Sequence, residues 1–76
     1  MESEWDAAKR LRVLDKHGLD FRRARDVVEG DHLAFPARSD VEPRAWAVGP
    51  VDGVPVAVCF TMRGARCRLV TMRRAR

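Results

Sequence analysis

Apolar residues recur at helical spacing up to Glu29 and at alternate positions from His32 onward. Ala7, Ala8, Leu11 and Leu14 form one stripe within Trp5 to His17, which predicts a short helix buried along that stripe. Asp6 is suited to cap its start, and Gly18 to take the left-handed position past its end. Asp20 is a good N-cap for a second helix running to Glu29. Phe21, Ala24, Val27 and Val28 make its apolar face, and Gly30 stops it. Both helices are too short to be stable alone in water, so both must pack on another element.

That element is a sheet. His32 to Ala37 reads as a short strand, and Pro36 places it at an edge or ends it. Residues 38–43 read as a polar loop. Arg44 to Gly49 alternates, with Ala45, Ala47 and Gly49 on one side and Trp46 and Val48 on the other. Asp52-Gly53 marks a turn, because both residue types accept positive φ. Val54 to Met62 is the strongest strand, with Val54, Val56, Val58, Phe60 and Met62 on one face. Arg63-Gly64 turns the chain into a last strand, Cys67 to Met72, and a basic tail follows. The expected class is α+β: two N-terminal helices packed on one face of a small, mainly antiparallel sheet of about four strands.

With 76 residues, the chain is one domain. Its core supplies roughly 3–5 kcal/mol of net stability, so a bound partner is a natural source of more. No apolar run approaches the ~20 residues needed to span a bilayer. The acidic start, Met1-Glu2-Ser3-Glu4, differs from the basic start of a secretory signal. The expected compartment is the cytoplasm, with no membrane partner.

Charge changes the picture most near the C-terminus. Residues 1–59 carry nine basic and eleven acidic side chains, a net of −2. Residues 60–76 carry six arginines and no acid. A cationic segment on a nearly neutral body favours a polyanionic partner, either nucleic acid or an acidic protein surface. Thirteen of the 15 basic residues are Arg, and Ile, Asn, Gln and Tyr are absent. A GC-rich coding bias produces the same trend, so the Arg excess alone does not mark phosphate binding.

Two sets of side chains carry candidate chemistry. Arg63, Arg66, Arg68, Arg73, Arg74 and Arg76 fall on adjacent strands and the tail. Guanidinium is planar and always charged, and it suits bidentate phosphate contact. Fixed arginines would also stabilise charge on the non-bridging oxygens when a ribose 2′-hydroxyl attacks phosphorus. The plainer reading is a solvated tail, and charge alone leaves both open. Lys16-His17-Gly18 is the second set. His shuttles protons near pH 7, but cations at a helix C-terminus also complement its dipole. His32, between helix and strand, has no stronger claim.

Trp5 reads as a packing anchor and Trp46 as half-buried, although either ring could stack on a base. Cys59 and Cys67 flank the Arg63-Gly64 turn almost symmetrically and could face each other across it. They are too few for a disulfide scaffold and lack zinc spacing. No Gly-rich phosphate loop or paired-acid metal site is present, so no cofactor and no metal are expected.

The same residues form a family pattern. Trp5-Asp6-Ala7-Ala8-Lys9, then Lys16-His17-Gly18-Leu19-Asp20-Phe21 with Ala24, resembles the opening of the BrnT toxins. Arg44 to Gly49, Val56 to Gly64 and Arg68 to Ala75 are similar to three further BrnT stretches, in the same order. The resemblance covers nearly the whole chain. It implies a single RelE-like domain over residues 1–76. It also implies a metal-independent endoribonuclease toxin of a type II toxin–antitoxin system that cleaves RNA and arrests growth. The implied partners are RNA and a BrnA-like ribbon-helix-helix antitoxin in a hetero-oligomer, with promoter DNA reached only through the antitoxin.

By position, Arg63, Arg68 and Arg73 match the family's C-terminal arginines, and Thr71 takes its Ser place. Lys9, Lys16 and His17 match its N-terminal polar positions. The expected catalytic residues are therefore Arg63, Arg68 and Arg73 on the scissile phosphate, with His17 moving a proton. Lys9, Lys16, Arg66, Thr71 and Arg74 would hold substrate. Val13 stands where the family commonly has Asn, Met62 where it often has Glu, and Met72 where it has Ala. Val28-Glu29-Gly30-Asp31 replaces its usual Phe-Asp-Asp-Pro, and relatives continue past the position of Arg76 into a short helix. These departures support an alternative: a weakened or inactive homologue that binds antitoxin as a co-repressor module, or a non-catalytic RNA-binding protein.

Overall fold

Both predicted helix starts are capped in the computed structural model of the chain, which describes residues 2–40 and 42–75. Helix α1 spans Ala7–His17, and the Asp6 carboxylate accepts from the backbone N–H of Ala8 and Lys9 at 2.8 and 3.1 Å. Gly18, at φ +67°, closes it with its N–H on the Leu14 carbonyl. The second helical segment is a 3-10 turn, Phe21–Arg23, leading into α2, Ala24–Val28. Asp20 caps that turn through the Arg22 N–H and also accepts two bonds from the Arg10 guanidinium, both at 2.9 Å. One carboxylate thus links α1 to the start of the second helical segment.

Five strands form the sheet: β1 Glu2–Glu4, β2 Leu33–Ala37, β3 Arg44–Val51, β4 Val54–Arg63 and β5 Arg66–Arg74. The spatial order is β1-β5-β4-β3-β2. Strands β2 to β5 make an antiparallel meander, and β1 lies parallel to β5 along the outer edge. This corrects the expected four-strand, mainly antiparallel sheet to a five-strand mixed one. Strand β1 is only Glu-Ser-Glu, with no apolar alternation to announce it. Its glutamates lie beside the guanidinium groups of Arg66 and Arg68, at 3.3 to 3.9 Å. The Asp52-Gly53 turn has positive φ at both residues, 51° and 79°, the geometry that matches a two-residue hairpin to strand twist. Of the polar loop at 38–43, Val41 lies outside the described residues, as does Arg76 at the end of the tail.

The core lies between the helices and one sheet face. Phe21, Ala24, Val27 and Val28 pack on Ala47, Val51, Val56, Val58, Leu69 and Met72. Val54 and Met62, expected on that face, are exposed where β4 begins and ends. On α1 the buried residue is Val13; Leu11 is 59% exposed and Leu14 38%. The Ala7-Ala8-Leu11-Leu14 stripe is therefore not the packing face. Val13 lies three residues from Arg10, on the side of α1 that the Arg10–Asp20 pair ties to the second helical segment, and that side meets the core. Trp5 is half-buried and packs on Phe21, with ring centroids 6.3 Å apart.

The two cysteines do not meet. Pairing steps from Cys59–Thr71 to Phe60–Leu69, so Val70 is an extra residue in β5. Cys67 pairs with Met62 and joins the core, while Cys59 lies on the other face. Both are free thiols whose pKa is pushed up by burial. Among the described residues, no helix is long and apolar enough to cross a membrane.

The caps and ion pairs set the acid limit. The Arg10 hydrogen bonds, aided by the Arg22 N–H, hold the Asp20 carboxyl down to about 2. Asp6 is lowered by the Lys9 and Ala8 N–H groups, and Asp52 by the hydrogen-bonded Arg23 guanidinium. These folded-state values lie below the unfolded ones, so the stabilisation is complete above about pH 4–5 and is lost as pH falls toward 2. Melting temperature should stay level from neutral pH to that range and then fall. Asp20→Ala should cost about 1–2 kcal/mol at neutral pH, lowering the melting temperature by roughly 4–8 °C per kcal/mol. Thermal scans of both proteins across pH check this.

Candidate nucleic-acid interface

The sheet face away from the core collects the cations. The extra residue Val70 resets the alternation of β5, so Leu69 and Met72 both point into the core. Arg68, Thr71 and Arg73 then share the opposite face with Cys59 and Ala57 of β4 and with Trp46 and Val48 of β3. Arg73 sits beside Ala57 in register. With small side chains on β4 beneath it, its guanidinium reaches over the Trp46 ring, 4.9 Å from the centroid. That distance is within cation–π range.

A broad groove of about 1100 Å³ opens at this end of the sheet. Arg73, Arg74, Lys16 and His17 line it on the cationic side. Leu33, Phe35, Trp46 and Val48 give it an apolar side. The C-terminus of α1 thus meets the C-terminal end of β5, which brings together two sets of residues far apart in sequence. No carboxylate lines the groove among the described residues, and Arg73 and Arg74 pair with none.

The remaining arginines sit toward the other end of the hairpin and are paired. Arg63 lies 3.6 Å from Glu42, Arg66 3.3 Å from Glu2, and Arg68 3.9 Å from Glu4. The described arginines of that set are therefore split, with Arg63, Arg66 and Arg68 partly neutralised and Arg73 and Arg74 in the groove. Thr71 lies between, half-buried on the Arg73 face. Lys9 belongs to neither end: its charge, with those of Arg44 and Arg73, acts on the Cys59 thiol and only partly offsets the upward push of burial. His32 is exposed and hydrogen-bonds through Nδ1 to the Gly30 carbonyl, outside the groove.

The sequence reading passed over Phe35, Leu33 and Arg44. Arg44 Nε is buried without a partner among the described residues, while its terminal nitrogen lies 3.4 Å from Glu42. The signal for Phe35 was present: Leu33-x-Phe35 alternates beside Trp46-x-Val48, which doubles an apolar row on a face the helices leave bare. Among the described residues, no group of three His, Cys, Asp or Glu side chains is placed to hold a metal ion.

An arginine held over tryptophan, in a groove that a histidine and further cations also line, can bind an anion and offer a proton-transfer group in the same groove. The family comparison agrees with that chemistry. The model described as ribonuclease toxin, BrnT, of type II toxin–antitoxin system matches residues 5–76. The chain belongs to the BrnT family. As a BrnT member it is of the type II ribonuclease toxins, a class whose substrate is RNA and whose partner is an antitoxin. Among curated proteins, none matches the chain significantly. In BrnT terms, the groove draws on both ends of the matched region, Lys16-His17 from its start and Arg73-Arg74 from its end.

Proposed function

We propose that this BrnT protein is a metal-independent endoribonuclease whose reaction centre is the groove between α1 and the end of β5. The observation that carries the proposal is the Arg73 guanidinium, held over Trp46 and free of any carboxylate among the described residues, in the groove that His17 also lines. In the proposed step the ribose 2′-oxygen attacks the adjacent phosphorus. The 2′-O–P bond forms, the P–O5′ bond breaks, and a 2′,3′-cyclic phosphate and a 5′-hydroxyl result. His17 takes the proton from the 2′-hydroxyl, and water returns one to the leaving oxygen. Arg73 bears the charge that builds on the non-bridging oxygens. Lys16 and Arg74 hold neighbouring phosphates.

Arg68 and Thr71, on the same face as Arg73, extend the phosphate track toward the hairpin. Arg63 and Arg66, paired with glutamates, and Lys9, whose charge reaches the Cys59 thiol, add long-range positive field. The five-strand sheet with helices on one face is consistent with a RelE-like fold. The partner we propose is a BrnA-like ribbon-helix-helix antitoxin in a cytoplasmic hetero-oligomer, through which promoter DNA is reached.

One observation favours a second reading, a module that binds antitoxin without cutting RNA. No carboxylate lines the groove among the described residues, and Met62 stands where relatives often carry Glu. Induced expression separates the two. Growth arrest with fragmented total RNA is expected from the nuclease. Normal growth with intact RNA, from soluble folded protein, would overturn the nuclease and point to the binding-only module.

A further inference from the structure

The cationic side of the groove is accounted for by phosphate, and its apolar side is not. Leu33 is 73% exposed and Phe35 49%. Both lie on β2, the outer strand of the meander, facing the same way as Trp46 and Val48. Core packing does not explain them, because the core is on the other face. Trp46 has one ring face occupied by Arg73. Phe35 stands directly opposite Trp46 in register and remains half exposed, with Leu33 two residues along the same row.

We propose that Phe35, flanked by Leu33, is a nucleobase-stacking subsite that takes one unpaired nucleotide of the RNA and sets its phosphate on Arg73. This deepens the nuclease reading and rests on it. Adjacent strands are about 4.8 Å apart, so Phe35 lies one strand step from the ring under the Arg73 guanidinium. A single ribose separates a base from its phosphate, a span of the same order. A base on Phe35 therefore leaves its phosphate over Trp46, where Arg73 is.

An aromatic face beside a row of cations is the arrangement that binds single strands, since every base has a π face and every nucleotide a charge. A duplex keeps its bases stacked inside and cannot present one to Phe35 without paying to unstack it. The substrate class is therefore single-stranded RNA, or the unpaired loops of folded RNA. An acidic protein segment would also satisfy the cations, but charge alone gives it no use for a flat ring one strand step from Arg73.

The test uses a short RNA carrying 2-aminopurine, with 2′-deoxy substitution to block cleavage. Wild-type protein should bind it and quench the 2-aminopurine fluorescence when the probe base occupies the subsite. Phe35→Ala should weaken binding by about 5- to 150-fold, the range of one base–aromatic stack, and abolish the quench. Phe35→Tyr should retain both. Melting curves would show each variant folded, as an exposed edge position allows. The same oligonucleotide in a duplex should bind no better than it binds Phe35→Ala.

Equal binding by wild type and Phe35→Ala, or equal affinity for single strand and duplex, would overturn the subsite and leave the cleavage reading standing. Failure of wild type to bind any RNA probe would overturn both. If Phe35→Ala keeps full RNA binding but no longer forms a complex with the antitoxin, the row belongs to the protein partner and the subsite is overturned.

Discussion

Replacing Arg73 by Ala should slow RNA cleavage by about 10²–10³-fold, the usual loss when one fixed donor to a developing oxyanion is removed. The melting temperature should hardly move, because Arg73 is exposed and lies on the face away from the core. Arg73→Lys should recover only part of the rate. An ammonium keeps the charge but lacks the planar group that lies on the Trp46 ring and can hold two phosphate oxygens. Arg66→Ala should change the rate by a few-fold at most. Its guanidinium is shared with Glu2 and Glu4, and exposed ion pairs of that kind contribute about 0–1 kcal/mol. Single-turnover cleavage rates for the four proteins check the ranking. Equal losses at Arg66 and Arg73 would return the reaction centre to the hairpin.

Phe21→Ala should unfold the protein at working temperatures. Phe21 is only 1% exposed, is the largest fully buried side chain, and supports Trp5. Truncating a buried Phe costs about 3–5 kcal/mol, as much as a core of this size supplies in total, roughly 3–5 kcal/mol. Leu11→Ala is the matched control, since Leu11 is 59% exposed and substitutions at such positions usually stay within about 0.5 kcal/mol. Circular dichroism on heating should show no cooperative transition for Phe21→Ala and a near-normal one for Leu11→Ala. If antitoxin restores a transition to Phe21→Ala, binding is supplying the missing stability.

These two expectations draw on parts of the molecule that were unequally legible. The caps were readable because Asp6, Gly18 and Asp20 each do a job that few residue types can do. The meander was readable because Asp52-Gly53 and the Val-rich strand leave little choice of register. Strand β1 was not, because what adds it to the sheet is pairing with β5 and with its arginines, and three polar residues carry no periodicity. The packing face of α1 was not, because Val13 is a single apolar residue with polar ones three and four positions away on either side, while the longer Ala7-Ala8-Leu11-Leu14 stripe faces solvent.

At the candidate site, residue types were legible and their grouping was not. Six arginines close in sequence read as one cluster. Strand geometry spreads the five described ones, Arg63, Arg66, Arg68, Arg73 and Arg74, along β4 and β5, and glutamates from β1 and Glu42 pair with three of them. The Val70 bulge decides which side chains join Arg73, and nothing local in the sequence marks it. Family resemblance and charge gave Arg63, Arg68, Arg73 and His17 as catalytic and Lys9, Lys16, Arg66, Thr71 and Arg74 as substrate-binding, while only the fold gives the grouping of Lys16 and His17 with Arg73 and Arg74, the contact of Arg73 with Trp46 and the bare row at Leu33 and Phe35.

The most direct test of the central claim is the chemistry of the cut ends. Purified protein is incubated with a defined single-stranded RNA in excess EDTA, and the termini of the fragments are determined. Fragments ending in 2′,3′-cyclic phosphate and beginning with 5′-hydroxyl, formed in the presence of chelator and lost with Arg73→Ala, are the predicted result. Cleavage abolished by EDTA, or fragments that begin with 5′-phosphate, would contradict transesterification by His17 and Arg73.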